Sequence, residues 1–164
     1  GRAHAFRPEG ASATLWGRVE RLLRRPAQEV APMLAALDPL TVADVMSKDP
    51  CCIQSTETLR QAHWTMLTRG VRHLPVLEGE RLVGLVSERD LYLVESVSVV
   101  DAEQKPVSAA MSTPPFTTRP DTPLRDVVHV MRVQRYGSSV VVDGQRVVGI
   151  FTRNDALRAL DDLG

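Results

Sequence analysis

The chain has 164 residues, enough for one medium domain or two small motifs sharing a core and too few for two large independent domains. Twenty Lys and Arg balance twenty Asp and Glu, which removes the basic footprint of a protein whose main partner is a phosphate backbone, so nucleic acid is not an expected partner. No apolar run reaches the roughly 18 residues of a membrane span, and the two cysteines, Cys51 and Cys52, are sequence neighbours that do not readily bridge, which fits a reducing, cytoplasmic compartment.

In chain order, residues 1–40 read as an N-terminal amphipathic helical extension. Leu15, Trp16, Val19, Leu22 and Leu23 form one apolar stripe and Val30, Met33, Leu34 and Leu37 a second, broken at Pro26. Arg18, Arg21, Arg24 and Arg25 are diluted by Glu20 and Glu29 and read as a solvated face. The apolar stripes require a partner, and a second copy of the chain is the expected one, giving a homodimer.

Residues 42–90 then match residues 107–155 at a constant shift of 65 without a gap. Val42/Val107, Met46/Met111, Leu59/Leu124, Met66/Met131, Gly79/Gly144, Gly84/Gly149 and Asp90/Asp155 are identical pairs, and their register marks a duplication. Each copy opens with a short leading segment, 42–46 or 107–111, followed by an extended Pro-containing stretch. A helix follows, with Leu59, Ala62, His63, Met66 and Leu67 at helical spacing in the first copy and Leu124, Val127, Val128 and Met131 in the second. Thr58, and Thr122 with Pro123, supply its start signals.

Two β-rich runs come next, 71–77 with 81–87 and 138–142 with 145–152, joined by Glu78-Gly79-Glu80 and Asp143-Gly144 as hairpin turns. A closing helix is predicted over 88–94 and 153–160. The order β-α-β-β-α, twice, defines a mixed α/β (α+β) chain in which each copy has a small three-stranded sheet. One copy alone has too little to cover its sheet, so the two are expected to pack as a pseudo-twofold pair. The expected boundaries are 41–95 for the first motif, 96–105 for a linker whose Val-rich stretch 97–100 has no assigned element, and 106–164 for the second motif.

The third strand of each copy ends in a shared pattern, Gly84-Leu85-Val86-Ser87-Glu88-Arg89-Asp90 and Gly149-Ile150-Phe151-Thr152-Arg153-Asn154-Asp155. A hydroxyl at a strand end, with an Asp in the first turn of the next helix, sits beside free backbone amides and suits a ribose or a phosphate. The carboxylate can accept from vicinal ribose hydroxyls. The same spacing has the form of a capping box, and the two roles are compatible.

With Arg72-His73-Leu74-Pro75-Val76 ahead of the first hairpin, this doubled pattern resembles the tandem pair of cystathionine-β-synthase-type (CBS) domains, the Bateman module, over residues 41–160. The resemblance implies a regulatory module, not an enzyme, that binds an adenosine ligand (AMP, ADP, ATP or S-adenosylmethionine) between the two motifs. It implies a first site in which Asp155, Thr152 and Ile150 face Met46, Cys51, Ile53, Arg72 and His73. A second site combines Asp90, Ser87 and Leu85 with Met111, Phe116, Gly137 and Ser138. Because Arg72 and His73 offer positive charge where Gly137 and Ser138 are neutral, the Asp155 site is expected to be the better nucleotide site.

No Ser-His-Asp order, Walker loop or metal-ligand cluster appears, so no nucleophile or base is assigned. His63 reads as a packing residue, His129 as surface, Cys51-Cys52 as small-residue packing, and Trp64 with the methionines as core or interface. The competing reading is an interaction module with empty clefts, or the regulatory fragment of a larger enzyme or transporter.

Overall fold

The computed structural model describes residues 38–97 and 104–162; the two N-terminal stripes and residues 98–103 of the linker lie outside the described residues. The elements in chain order are α1 (Val42–Val45), β1 (Ser47–Lys48), β2 (Ile53–Gln54), α2 (Leu59–Arg69), β3 (His73–Glu78), β4 (Arg81–Ser87) and α3 (Glu88–Val97). A 3₁₀ turn (Val107–Ala109) opens the second copy, followed by β5 (Thr117–Thr118), α4 (Leu124–Gln134), β6 (Ser138–Asp143), β7 (Arg146–Thr152) and α5 (Arg153–Asp162).

Gly79 and Gly144 turn the two hairpins with φ of 62° and 60°, in the left-handed region that glycine enters without a Cβ clash. β3 pairs antiparallel with β4 so that His73 lies opposite Ser87, and β6 pairs with β7 so that Ser138 lies opposite Thr152. Both hairpins shift register at the equivalent place, Val76/Leu77 and Val141/Val142. β2 and β5 add in parallel to β3 and β6.

The helices show where the copies diverge. Thr58 caps α2 with its hydroxyl accepting from the Gln61 amide at 3.2 Å, while Gln61 Oε1 accepts from the Thr58 amide at 2.8 Å. Pro123 occupies the cap position of α4, and the Thr122 hydroxyl instead accepts from the Arg119 amide at 3.1 Å, so Thr122 serves the preceding loop. α2 ends on Gly70 at φ 64°, whereas α4 ends on Arg135 at φ 59°, a position where a side chain is disfavoured.

The leading segments exchange. Val42 is fully buried in the core of the second copy, with Leu124, Val127, Met131, Val141 and Phe151. Val107 is fully buried in the core of the first, with Leu59, Met66, Leu74, Val86 and Leu91. Each such valine contributes about 1.5–3 kcal/mol of apolar burial. Backbone hydrogen bonds fix the exchange symmetrically: Val107 N donates to Glu57 O at 2.7 Å, Ser108 N to Ser55 O at 3.0 Å and Leu59 N to Lys105 O at 2.9 Å. In the other half Val42 N donates to Thr122 O, Ala43 N to Pro120 O and Leu124 N to Leu40 O, each at 2.9 Å.

The exchange continues into the sheets. β1 of the first copy pairs antiparallel with β7 of the second, Ser47 opposite Ile150, which makes that sheet four-stranded (β1-β7-β6-β5) where three strands were expected. In the three-stranded sheet (β2-β3-β4) the matching contact is the bridge between Leu85 and Ser112, bonded both ways at 3.1 and 2.8 Å. Gly149 and Gly84 are required here because a Cβ at either would run into Met46 Sδ or Met111 Sδ, with Ser47 O or Ser112 O at 3.2 and 3.1 Å behind. The identical Gly and Met pairs of the repeat are thus partners across the two copies.

Two measurements follow from this packing. Gly149→Ala lowers stability by about 1–3 kcal/mol in denaturant unfolding, and adding Met46→Ala recovers part of the loss, because the two residues occupy one contact. Arg135→Gly raises stability by about 1 kcal/mol by relieving the left-handed end of α4, read as a higher denaturation midpoint with unchanged slope.

Candidate functional site

β4 runs into α3 and β7 into α5 with no intervening loop, so Ser87 and Thr152 are at once the last strand residue and the helix cap. The Ser87 amide and hydroxyl donate to Asp90 Oδ2 at 2.8 and 2.6 Å, and the Asp90 amide returns to Ser87 Oγ at 3.2 Å. Thr152 and Asp155 repeat the arrangement at 2.8, 2.7 and 3.4 Å. The capping-box geometry is present in both copies and leaves one oxygen of each carboxylate, Oδ1, outside it.

Those two oxygens differ. Asp155 Oδ1 accepts from Arg158 Nη2 at 2.8 Å, and Asp155 is only 4% exposed. Arg158 Nη2 also lies 3.5 Å from Val45 O, at the end of the exchanged segment. Asp90 is half-buried, and the hydrogen bonds of its carboxylate to the described residues run through Oδ2. Leu93, the counterpart of Arg158, is 52% exposed.

β4 and β7 pack against each other, and His73 lies opposite Ser87 at the end of β4. Burial holds the His73 imidazole below its ordinary value of 6.5; Arg72 and Arg153 act in the same direction, while Asp90 and Asp155 pull the other way. His73 therefore senses both carboxylates. Arg72 is largely solvated and stands 3.9 Å from Glu88, a weak surface pair. The second copy has Arg153 at the position of Glu88. Its Nε donates to Tyr136 O at 3.3 Å, and its Nη2 would be 3.7 Å from a Cβ on Gly137. Neutral Gly137 and Ser138 are thus accompanied by a guanidinium supplied from the helix.

Of the residues expected at the sites, Met46 is brought against Gly149 beside Ile150, and Met111 against Gly84 beside Leu85. Phe116 is stacked on Tyr136 with centroids 4.9 Å apart, an aromatic pair in which Tyr136 was not anticipated. Ile53 is 3% exposed within the first core and Cys51 packs against the same core, which places both in the packing of β2. Ser138 is buried and pairs with Thr152 of its own hairpin. Sequence reasoning missed Arg153 and Arg158, although both stand out at the 65-residue shift as Arg where the first copy has Glu88 and Leu93.

Other reactive groups are structural. Burial pushes the Cys52 thiol up, away from the nucleophilic thiolate. His63 Nδ1 lies 3.1 Å from Glu95 Oε1 and its ring meets Tyr92 edge-on, but Nε2 is buried without a partner among the described residues, so the packing histidine is only half satisfied. His129 is exposed, as expected. No group of three His, Cys, Asp or Glu suited to a metal occurs among the described residues. A groove of about 630 Å³ lies between α2 and α3, lined in part by His63, Trp64, Leu67, Tyr92 and Glu95, and it reaches Arg72 and Glu88 at the end of the first hairpin.

The CBS domain family model matches residues 42–96 and 107–162. An A-adding tRNA nucleotidyltransferase of Geobacter sulfurreducens is 30% identical over 142 residues, which are 87% of this chain but 15% of that protein. The CBS domain pair of protein MJ0100, solved with 5′-methylthioadenosine and S-adenosyl-L-methionine, has a TM-score of 0.70 at 25% identity and covers 76% of this chain and 98% of its own. CBSX2 in complex with AMP has a TM-score of 0.67 at 26% identity, covering 74% and 97%. Two family matches in register with the duplication, and the fold shared with solved pairs, establish that the chain belongs to the CBS domain family as a tandem pair.

Proposed function

We propose that this chain is a regulatory module that binds an adenosine ligand (AMP, ADP, ATP or S-adenosylmethionine) between its two motifs and performs no chemistry of its own. The observation that carries the reading is the doubled strand-end box: two carboxylates, each held by a hydroxyl and an amide, with the charges of both, and of Arg72 and Arg153, acting on His73. A carboxylate held this way accepts from ribose hydroxyls through its outer oxygen, while the guanidiniums serve phosphate oxygens. Met46 with Ile150, and Met111 with Leu85 and Phe116, offer apolar walls for the base. The likeness to pairs solved with AMP, or with S-adenosyl-L-methionine and 5′-methylthioadenosine, supports the ligand class.

Regulation requires that the ligand bind one arrangement of the two motifs, or of two chains, more tightly than another. We place the module in the cytoplasm on the strength of its free, half-buried cysteines, and as a homodimer through its helices and N-terminal extension. Trp64, Leu67, Tyr92 and Leu93, exposed by 67, 77, 56 and 52%, support the dimer. They also favour the second reading, a module that recruits a partner through this face. The likeness to part of a nucleotidyltransferase supports a place beside a catalytic domain.

Titration calorimetry with AMP, ATP and S-adenosylmethionine tests the proposal. Saturable binding of at least one ligand is expected, lost in the Asp90→Ala/Asp155→Ala double variant; a folded chain that binds none of them makes the interaction module the better reading. His73 sets a pH dependence. Its folded value is depressed below 6.5, so between the two values the unfolded chain holds more protons and stability falls as pH drops below 6.5. His73→Gln removes that component of the slope in chemical denaturation followed across pH.

A further inference from the structure

The two carboxylates of the proposed adenosine sites have unequal free capacity, and the inequality predicts which cleft fills. Resting on the adenosine-ligand reading, we propose that Arg158 occupies the Asp155 carboxylate as an internal counterion, so that the unmodified chain takes one ligand, in the Asp90 cleft. Asp155 Oδ2 already accepts from Thr152 N and Oγ1, and Oδ1 accepts from Arg158 at 2.8 Å. A ribose entering there must displace a hydrogen bond in which both donor and acceptor are charged, and replaces it with one in which only the acceptor is.

Displacement has a second consequence, because the same guanidinium nitrogen lies 3.5 Å from Val45 O and joins α5 to the end of α1 from the other copy. Opening the Asp155 carboxylate therefore loosens a contact between the copies as well. The first copy has no equivalent: Leu93 replaces the arginine, and Asp90 is more exposed than Asp155, with the described bonds of its carboxylate confined to Oδ2. Among the residues expected to face Asp90, Phe116 is stacked on Tyr136 and Gly137 has Arg153 beside it, which would give a nucleotide a flat wall and a cation. The expectation that Arg72 and His73 favour the Asp155 site is outweighed, since Arg72 is solvated near Glu88 and burial disfavours the charged form of His73.

The test compares binding stoichiometry and affinity for AMP, ATP and S-adenosylmethionine by titration calorimetry in the wild-type chain, Asp90→Asn, Arg158→Leu and Arg158→Leu/Asp155→Asn. One ligand per chain is expected in the wild type, with affinity at least tenfold weaker in Asp90→Asn. Arg158→Leu, which installs the residue of the first copy, raises the stoichiometry to two, and adding Asp155→Asn returns it to one. Wild-type binding that is unchanged in Asp90→Asn, or two ligands per wild-type chain, overturns the inference while leaving the adenosine reading intact. No second ligand in a folded Arg158→Leu overturns the counterion role. If Arg158→Leu does not fold, Arg158→Gln carries the same comparison, and absence of binding by every ligand to every folded variant removes the underlying reading too.

Discussion

The reciprocal exchange of the leading segments is the constraint on which the rest of the structure depends. Val42 and Val107 each complete the core of the copy they do not precede, and matching sets of backbone hydrogen bonds hold both in place. Burial of one valine is worth only a few kcal/mol, but the exchange also satisfies amides and carbonyls at the starts of α2 and α4 that would otherwise be orphaned. The two copies are therefore less a pair of docked domains than a single core system folded about a pseudo-twofold axis.

The site inherits this geometry. The residues after α1 run along β7, and those after the 3₁₀ turn run beside β4, so the strand that leads to each carboxylate has the leading segment of the other copy at its side. The glycine and methionine pairs make the close approach possible: a side chain at Gly84 or Gly149 would push the segments apart. Within this near-symmetric frame, the chemistry differs at a few positions. Arg153 replaces Glu88 and Arg158 replaces Leu93, and both replacements put a guanidinium on the helix that carries Asp155.

Much of this was legible in the sequence for local reasons. Gly79 and Gly144 can be read as hairpin turns because positive φ is a demand on one residue, and Ser87 with Asp90 can be read as a cap because both members lie in one helical turn. The exchange was not legible, because identical valines and methionines at the head of each repeat fit either core equally well by pattern alone. Three-dimensional connection decides between them. Thr122 misled for a related reason: a hydroxyl beside Pro123 satisfies a helix-start pattern whether it faces the helix or the loop, and here it faces the Arg119 amide. Arg158 was overlooked because an arginine three residues after an acid on a helix ordinarily reads as a solvated pair, and its significance appears only with the burial of Asp155.

The exchange also dictates an order of events during synthesis. The ribosome delivers α2, β3, β4 and α3 before Val107, so the first core leaves the exit tunnel with a vacancy whose proper occupant is not yet made. At the same moment Val42 has emerged without the strands that will cover it, since β6 and β7 are still to be translated. A nascent first half thus carries an unfilled hole and an uncovered plug of matching shape that do not belong together. Such a half-chain is primed to close wrongly on itself or on a neighbouring nascent chain, and correct closure waits for nearly the whole second repeat.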